Sequence, residues 1–520
     1  MNTVERREGE QEEEDGNVLD RTLSAGYWSF LDTIMQKVLI YGAFFITARL
    51  LSPADFGTVA LAMVFPNLLD SLTALAFDTA LTQKPKGDER QYLHVVWTLN
   101  FLRSVVVAII IFFSSFLVVK FFHIPDALLL FQLSALPVLF QGMTSIGQIY
   151  FFRELDFKKV FIRDLANYAT AAILTVLLAL SFHSYWAIFI GNTAGIFMAG
   201  VMTYVLNPYR PHLDLKFAKL KPLLTYSEWI FGQALSVRLT QTLEDTLVGH
   251  FTTTTNVGNF SKAKSLAYAP TSPLSNIISK IGFSALVATG GSLPHVHEGF
   301  HKSFDIAVLV AIPFIVVIWL AGDTLVYIVL GKAWMGIVPL LKILVIVSAL
   351  NTCVQSIAGM TFNAINKPQY FFRLSALSLA SAIIFLPYLV TTRGINGAAL
   401  SLLISAIIVN CYALYLLRIT ITPVFSRIIE TTLVTLGVAS IPIPLIIYSL
   451  EKSSHSLILF FTILLLYGVC YLFGISISGI LLKKGPYATL FVIINSFESR
   501  LPIAMRGVLL KVFAPPLRNK

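Results

Sequence analysis

The chain has 520 residues, of which 56% are apolar and only 13% are charged, and its mean hydropathy is +0.76. Because soluble globular proteins carry about 25% charged residues, this composition excludes a soluble enzyme. Cys353, Cys411 and Cys470 each lie within an apolar segment and show no metal-ligand or redox spacing, which excludes a disulfide framework.

The first predicted element is a disordered acidic tail over residues 1–20. Its run of acids from Glu10 to Asp15 cannot bury enough apolar surface to fold. The segment also lacks the basic start and the apolar centre of a signal peptide, so we interpret it as a disordered tail.

Fourteen apolar segments follow, each long enough to cross about 30 Å of hydrocarbon as a helix that rises about 1.5 Å per residue. They cover residues 24–51, 54–82, 91–122, 126–152, 157–182, 184–206, 222–251, 254–286, 303–330, 334–364, 369–391, 395–417, 428–450 and 456–482. The sequence therefore predicts an all-α polytopic membrane protein with about fourteen transmembrane helices.

Basic residues are concentrated in alternate loops of this assignment, such as 84–90, 153–163 and 210–221. By the positive-inside rule, both termini are predicted to be cytoplasmic. The loops are short, and no phosphate-binding G-x-x-x-x-G-K-[ST] motif occurs, which excludes an internal ATPase. Any transport is expected to be secondary or to be driven by consumption of the substrate.

The sequence also contains an internal repeat. Residues 23–57 align without a gap with 224–258 at a spacing of 201, and a second match occurs at a spacing of 210. The pairs that coincide at a spacing of 201 are Leu23/Leu224, Trp28/Trp229, Phe30/Phe231 and Gly57/Gly258, and Lys37 falls on Arg238. Those that coincide at 210 are Phe161/Phe371, Arg163/Arg373, Ala166/Ala376 and Ala172/Ala382. Parallel repeats of this kind place a substrate site between two halves near the bilayer midplane.

The predicted organisation follows from this repeat. It comprises a disordered acidic cytoplasmic tail (1–20), an N-terminal six-helix bundle (21–206), a cytoplasmic linker (207–221), a C-terminal six-helix bundle related to the first by a pseudo-twofold axis (222–418), two further transmembrane helices (419–482) and a basic cytoplasmic tail (483–520). The last segment fits either a helix lying on the anionic inner leaflet or an unstructured tail.

Most ionisable residues that fall well inside the predicted spans lie on helices 1, 2, 7 and 8. Each would cost at least about 2.5–3.5 kcal/mol if it faced lipid at the bilayer centre, so these helices are predicted to line a wet cavity. Lys37 and Arg238 lie at mid-span in equivalent positions and suit a diphosphate ligand, with Arg103 and Lys262 as further candidate cations.

Five other residues are candidates for the cavity wall or for ion coupling: Asp32, Asp70, Gln241, Glu244 and Asp245. A buried carboxylate such as Asp32 or Asp70 could carry a coupling proton. The alternative is that each cation neutralises a nearby carboxylate and only stabilises the bundle, as Asp32 could do for Lys37.

Two stretches resemble bacterial exopolysaccharide and lipopolysaccharide repeat-unit flippases. They are 26–65, which contains the A-R-L-L-S-P-A-D-F-G run from Ala48 to Gly57, and 151–195. The resemblance implies the fold of the multidrug/oligosaccharidyl-lipid/polysaccharide exporter superfamily, alternating access, and a place in the bacterial cytoplasmic membrane. It also implies a substrate, undecaprenyl-diphosphate-linked oligosaccharide for surface polysaccharide, and a cationic cavity formed by Lys37, Arg49 and Arg238. Proton or sodium gradients, or the polysaccharide polymerase machinery, would drive the step.

Three other functions remain open. A peptidoglycan lipid-precursor flippase would share the diphosphate and the lipid, whereas a cation-coupled multidrug exporter should favour acids over cations in its cavity. A membrane glycosyltransferase would need a sizeable outer loop with catalytic residues, and the outer loops here are short. No cofactor, metal or nucleic-acid partner is predicted.

Two local motifs are interpreted as structural. Ser52 and Asp55 fit the start of a helix better than a catalytic acid. The histidines His295, His297 and His301 lack a second acidic or thiolate ligand, so a solvated loop is expected rather than a zinc site.

Overall fold

The computed structural model of the chain describes residues 4–73, 81, 90–216, 228–279, 293–421, 425–444 and 457–482. Within these ranges the regular structure is helical and contains no β-strand, which confirms the predicted all-α class. Eight of the helices in this part of the chain are long and apolar enough to cross a membrane, or nine if one bent pair counts as a span. The count of fourteen stays a prediction.

The first eight helices cover the segment up to residue 206. They are α1 (Val4–Leu50), α2 (Pro53–Thr73), α3 (Arg90–Phe121), α4 (Leu128–Leu133), α5 (Ala135–Gly142), α6 (Ile149–Arg153), α7 (Phe157–Phe182) and α8 (Trp186–Leu206). The predicted span 126–152 is therefore broken into short pieces, bent by 57° between Pro125–Gly142 and Ile146–Arg153.

The remaining helices follow the predicted linker. They are α9 (Glu228–Phe251), α10 (Thr254–Tyr268), α11 (Thr271–Ile277), α12 (Leu293–Val329), α13 (Ile337–Leu350), α14 (Ile357–Ala364), α15 (Pro368–Ile421), α16 (Phe425–Ser440) and α17 (Leu457–Leu482). A π turn over Asn351–Ser356 joins α13 to α14.

The acidic segment that the sequence predicts to be disordered differs in the structure, because α1 is continuous from Val4. Glutamate has a high helix propensity, so a helix that is already nucleated in the apolar part can extend through such a run. The basic tail 483–520 and residues 217–221 of the predicted linker lie outside the described residues.

Helix α15 contains two predicted spans, 369–391 and 395–417. As a straight helix its 54 residues would measure about 80 Å, far more than a bilayer needs. Gly394 has φ +58° and ψ −141°, a conformation that only glycine adopts readily. A Cβ atom at Gly397 would overlap the Leu389 carbonyl oxygen, so the chain doubles back here and α15 is a hairpin of two spans.

The chain divides into two compact units. One consists of Met1–Phe231 with Thr252–Gly258, and the other of Gly232–Phe251 with Asn259–Lys520. The core of the second unit includes Phe300, Phe304 and Phe362, which are at most 4% exposed. The predicted bundle boundaries at 206 and 222 stay predictions.

Within the second unit, polar contacts join the two C-terminal helices to α12. The Asp305 carboxylate is 1% exposed. It accepts a hydrogen bond from Arg427 at 2.9 Å and one from the Thr431 hydroxyl at 3.0 Å. The Tyr471 hydroxyl on α17 donates to the Leu309 carbonyl at 2.9 Å. Because buried polar groups need partners, these bonds fix which faces of α16 and α17 pack against α12.

Candidate functional site

The predicted residues on α1 lie beside α7. Lys37 is half-buried, and its ammonium lies 5.9 Å from the centre of the Tyr41 ring, one turn further along. Gln36 donates to the Tyr168 hydroxyl of α7 at 2.6 Å. Asp32 is also half-buried. The middle of α1 therefore carries a cation, an amide and a carboxylate at the depth where the sequence predicts a wet cavity.

Arg49 lies in the last turn of α1 and is exposed. A guanidinium here is favoured by the negative end of the helix dipole. The next residues form the predicted helix start: the Ser52 hydroxyl donates to the Asp55 carboxylate at 2.6 Å, and the Asp55 amide donates back to the Ser52 hydroxyl at 3.3 Å. This reciprocal cap confirms the structural interpretation of the Ser52–Asp55 motif.

Asp70 on α2 and Arg103 on α3 form an ion pair. The Arg103 guanidinium contacts the Asp70 carboxylate at 2.8 Å and also donates to the Thr73 hydroxyl at 2.9 Å. Their side chains are 31% and 17% exposed, respectively. The structure thus pairs one predicted phosphate-binding cation with one predicted coupling acid, which is the arrangement expected of the structural alternative.

On α9, Arg238 and Gln241 are both exposed, in keeping with their i, i+3 spacing on one face. Arg238 forms no ion pair with any residue that the structure describes. In this respect it differs from Arg103. A guanidinium on a membrane helix that has no carboxylate partner among the described residues can bind an anionic ligand.

Glu244, one turn further along α9, is buried and accepts a hydrogen bond from the Lys264 ammonium of α10 at 2.5 Å. Asp245 adjoins it and also interacts electrostatically with Lys264. Lys262, two residues earlier on α10, is half-buried. The second unit therefore holds two adjacent carboxylates around one lysine, so this group has one more negative charge than positive.

A ladder of hydrogen bonds continues from this group along α10 and α11. The Asn351 amide donates to the Tyr268 hydroxyl at 3.0 Å and its carbonyl oxygen accepts from Asn410 at 3.3 Å. Two hydroxyl pairs extend it, Thr271–Ser348 at 2.5 Å and Ser275–Thr352 at 3.0 Å. Sequence reasoning missed this network, although Asn351 and Asn410 are amides inside apolar spans and could have indicated it.

The histidine segment differs from the prediction. His295, His297 and His301 lie on α12 rather than in a loop, and His301 is 1% exposed. The loop interpretation is wrong because the first turns of α12 continue the membrane helix and turn His301 towards the core, whereas His295 is exposed. In the described residues no group of three or more His, Cys, Asp or Glu could hold a metal ion.

Comparison with known proteins gives the following similarities. A family model described as polysaccharide biosynthesis protein matches residues 46–339. Lipopolysaccharide biosynthesis protein WzxC of Escherichia coli K12 is 20% identical over 339 residues, which are 64% of this chain and 68% of that protein. An uncharacterized membrane protein in the cps region of Klebsiella pneumoniae is 23% identical over 390 residues, 74% of this chain and 79% of that protein.

Among solved structures, the inward closed conformation of lipid II flippase MurJ matches this chain with a TM-score of 0.70 at 15% identity. The match covers 89% of this chain and 100% of that one, and it shows that the two proteins share a fold.

Proposed function

We propose that this chain, which belongs to the polysaccharide biosynthesis protein family, is a flippase for lipid-linked oligosaccharide repeat units. It moves undecaprenyl-diphosphate-linked units across the bacterial cytoplasmic membrane by alternating access, for assembly of a surface polysaccharide. In this proposal both termini are cytoplasmic, the chain is a secondary-type transporter and not an enzyme, and the polysaccharide polymerase consumes the product. The family membership and the name of the Escherichia coli relative support this proposal.

The observation that carries the proposal is Arg238. It is an exposed guanidinium in the middle of α9, and it has no ion-pair partner among the described residues. A charged side chain at this depth costs about 2.5–3.5 kcal/mol unless water or an anion compensates it. A diphosphate offers oxygen atoms that suit the planar fork of arginine. We assign Arg238 and its repeat equivalent Lys37 to binding the diphosphate. We assign Arg49 and Lys262 to attracting the diphosphate as it approaches.

Ion coupling is assigned to the second unit. Glu244 and Asp245 together carry one more negative charge than Lys264 neutralises, so the group can take up one proton or one sodium ion. Asp70 is a weaker candidate because Arg103 already compensates its charge at 2.8 Å. Arg103 is for the same reason a weaker candidate for the diphosphate.

Complementation tests the proposal. Deletion of the gene should abolish a surface polysaccharide and cause its lipid-linked unit to accumulate inside the cell, and the wild-type chain should restore export. Arg238→Ala and Lys37→Ala should each reduce export severalfold at normal membrane levels, and the double variant should abolish it. Lys302→Ala is the matched control, because Lys302 forms an exposed ion pair with Glu298 at 2.7 Å.

The outcomes separate the alternatives. Unchanged export in the double variant at normal protein levels would remove the proposed diphosphate site. Accumulation of the peptidoglycan precursor instead of a polysaccharide unit would identify a peptidoglycan lipid-precursor flippase. A change in drug susceptibility with normal polysaccharide would identify a multidrug exporter.

A further inference from the structure

Arg163 and Arg373 occupy equivalent positions in the repeat, at a spacing of 210, but have different partners. In the first unit, Arg163 makes two bonds to the Asp164 carboxylate, at 2.8 and 3.0 Å, and a third to Gln148 at 2.9 Å. Its charge is therefore fully compensated within the protein.

In the second unit, a leucine replaces the carboxylate. Leu374 stands at the position equivalent to Asp164 and is fully buried. The Arg373 guanidinium is exposed and lies 5.4 Å from the centre of the Tyr370 ring, and the Lys367 ammonium lies 5.7 Å from the same ring. Across the described ranges of the chain, neither cation forms an ion pair. Two positive charges therefore flank one aromatic ring without a carboxylate to neutralise them.

Arg373 also stands at one end of an open groove of about 630 Å³ in the α15 hairpin. The rest of its wall is formed by Phe372, Ala376, Leu377, Ala380, Ile408 and Tyr412. Ala380 is two helical turns beyond Arg373, so the apolar wall extends about 10 Å from the guanidinium along the helix. Lys367 directly precedes α15 and Arg373 lies in its second turn, where the helix dipole adds to the positive potential.

A positive end and an apolar wall together fit an amphiphile with an anionic head. We propose that the groove binds an anionic phospholipid of the surrounding membrane, with its phosphate on Arg373 and Lys367 and an acyl chain along Ala376, Ala380 and Ile408. Basic pockets between membrane helices bind such headgroups elsewhere by the same chemistry. The proposal uses residues other than Lys37 and Arg238, so it does not depend on the proposed flippase activity.

A bilayer phospholipid fits better than the polyprenyl diphosphate substrate because of the shape of the groove. The groove is open along its side, so a lipid can enter without a helix being displaced. Its apolar wall extends only about 10 Å along the helix, which suits an acyl chain better than a long polyprenyl chain. The substrate remains an outcome of the test.

The experiment measures lipid binding to the purified full-length chain. The delipidated protein is titrated with phosphatidylglycerol, with phosphatidylcholine as reference, and bound lipid is counted by native mass spectrometry. Because each cation near a phosphate contributes about 1 kcal/mol, Arg373→Ala and Lys367→Ala should each weaken phosphatidylglycerol binding about fivefold, and the pair about 30-fold. Arg373→Lys should retain most of it.

Two further variants make the test specific. Ala376→Trp leaves both charges in place but fills the groove, and it should also lose phosphatidylglycerol. Lys302→Ala removes one exposed, paired cation and should bind like the wild type. Each variant is required to elute as a single species and to keep its thermal midpoint within a few degrees, so a loss of binding is not a loss of fold.

Three results would overturn the proposal. If the Arg373→Ala and Lys367→Ala double variant bound phosphatidylglycerol like the wild type, these residues would not form the headgroup site. Normal binding by Ala376→Trp would remove the acyl-chain groove. Displacement of phosphatidylglycerol by undecaprenyl diphosphate at a much lower concentration would assign the groove to the substrate instead. Export in cells is a separate measurement, since Arg238→Ala should impair export while leaving phosphatidylglycerol binding intact.

Discussion

Gly57 and Gly258, which are 201 residues apart and equivalent in the repeat, pack backbone to backbone within the first unit. A Cβ atom on Gly57 would overlap the Thr254 carbonyl oxygen, and one on Gly258 would overlap the Pro53 carbonyl oxygen. Pro53 and Thr254 are themselves equivalent in the repeat. The contact is thus reciprocal, and it joins the first turns of α2 and α10.

This close backbone contact predicts that neither Gly57 nor Gly258 tolerates a side chain. Gly57→Val should lower the free energy of unfolding by about 1–3 kcal/mol, because overpacking forces the two helix starts apart. The thermal midpoint in detergent is the measurement. Gly42→Ala is the matched control, since nothing lies within 4 Å of a Cβ atom there, and it should stabilise α1 slightly. Equal midpoints for the two variants would contradict the close contact.

The Asp70–Arg103 pair predicts that removing one partner costs more stability than removing both. Asp70→Asn should cost about 2 kcal/mol or more, because it leaves a largely buried guanidinium without its carboxylate. Replacing both residues with leucine should recover much of that loss. A double-mutant cycle on thermal stability measures the coupling. Glu298→Gln, in an exposed pair with side chains 58% and 44% exposed, should cost less than about 1 kcal/mol. Additive effects at Asp70 and Arg103 would argue against the pair.

The Glu244–Lys264 pair predicts that removing the lysine and removing the carboxylate have different effects on stability. Lys264→Met should destabilise the protein more than Glu244→Gln, because it removes the lysine that interacts with both adjacent carboxylates, whereas Glu244→Gln leaves Asp245 next to Lys264. Both should reduce export, and the double variant should be more stable than Lys264→Met alone. Protein level in the membrane separates stability from activity. A fully active and stable Lys264→Met variant would show that the charged group around Lys264 is needed neither for stability nor for ion coupling.

Arg427 predicts how firmly α16 is held to α12. Arg427→Ala removes the ion-pair partner of the Asp305 carboxylate, which is 1% exposed and also accepts from the Thr431 hydroxyl. We expect faster hydrogen–deuterium exchange over residues 425–440 and little change in α3 or α7. Asp305→Asn should give a smaller effect, because the amide still accepts hydrogen bonds without leaving a buried charge. Uniform exchange changes across the chain would indicate global destabilisation instead.

The sequence predicted the features that depend on local pattern. The Ser52–Asp55 cap was predicted because the donor and acceptor are three residues apart, and the two spans of α15 were predicted because their break at Gly394 interrupts an apolar run. Partners far apart in sequence could not be predicted in this way. Asp70 and Arg103 are 33 residues apart, and Gln36 and Tyr168 are 132 apart, so only the packing of the helices determines that they meet.

Burial was the second property that sequence pattern did not provide. His301 was expected in a solvated loop because no second acidic or thiolate ligand lies near it in sequence, yet the first turns of α12 carry it into the core. The difference between Arg163 and Arg373 was present in the sequence as Asp164 against Leu374. What turns that difference into a groove is the packing of the two arms of the α15 hairpin, which brings Ile408 and Tyr412 beside Ala376. The pattern predicted two spans there, but not which of their faces meet.

The π turn over Asn351–Ser356 has a consequence for how this region is compared between proteins. A π turn holds an extra residue in one turn of helix, so the 3.6-residue period that runs through Ile337–Leu350 is out of phase with the one that runs through Ile357–Ala364. An alignment that treats both segments as one uninterrupted α-helix will predict the wrong core-facing residues in one of them. Relatives that lack a residue at this point will therefore present a rotated surface on one side of the gap, even where every aligned letter is identical.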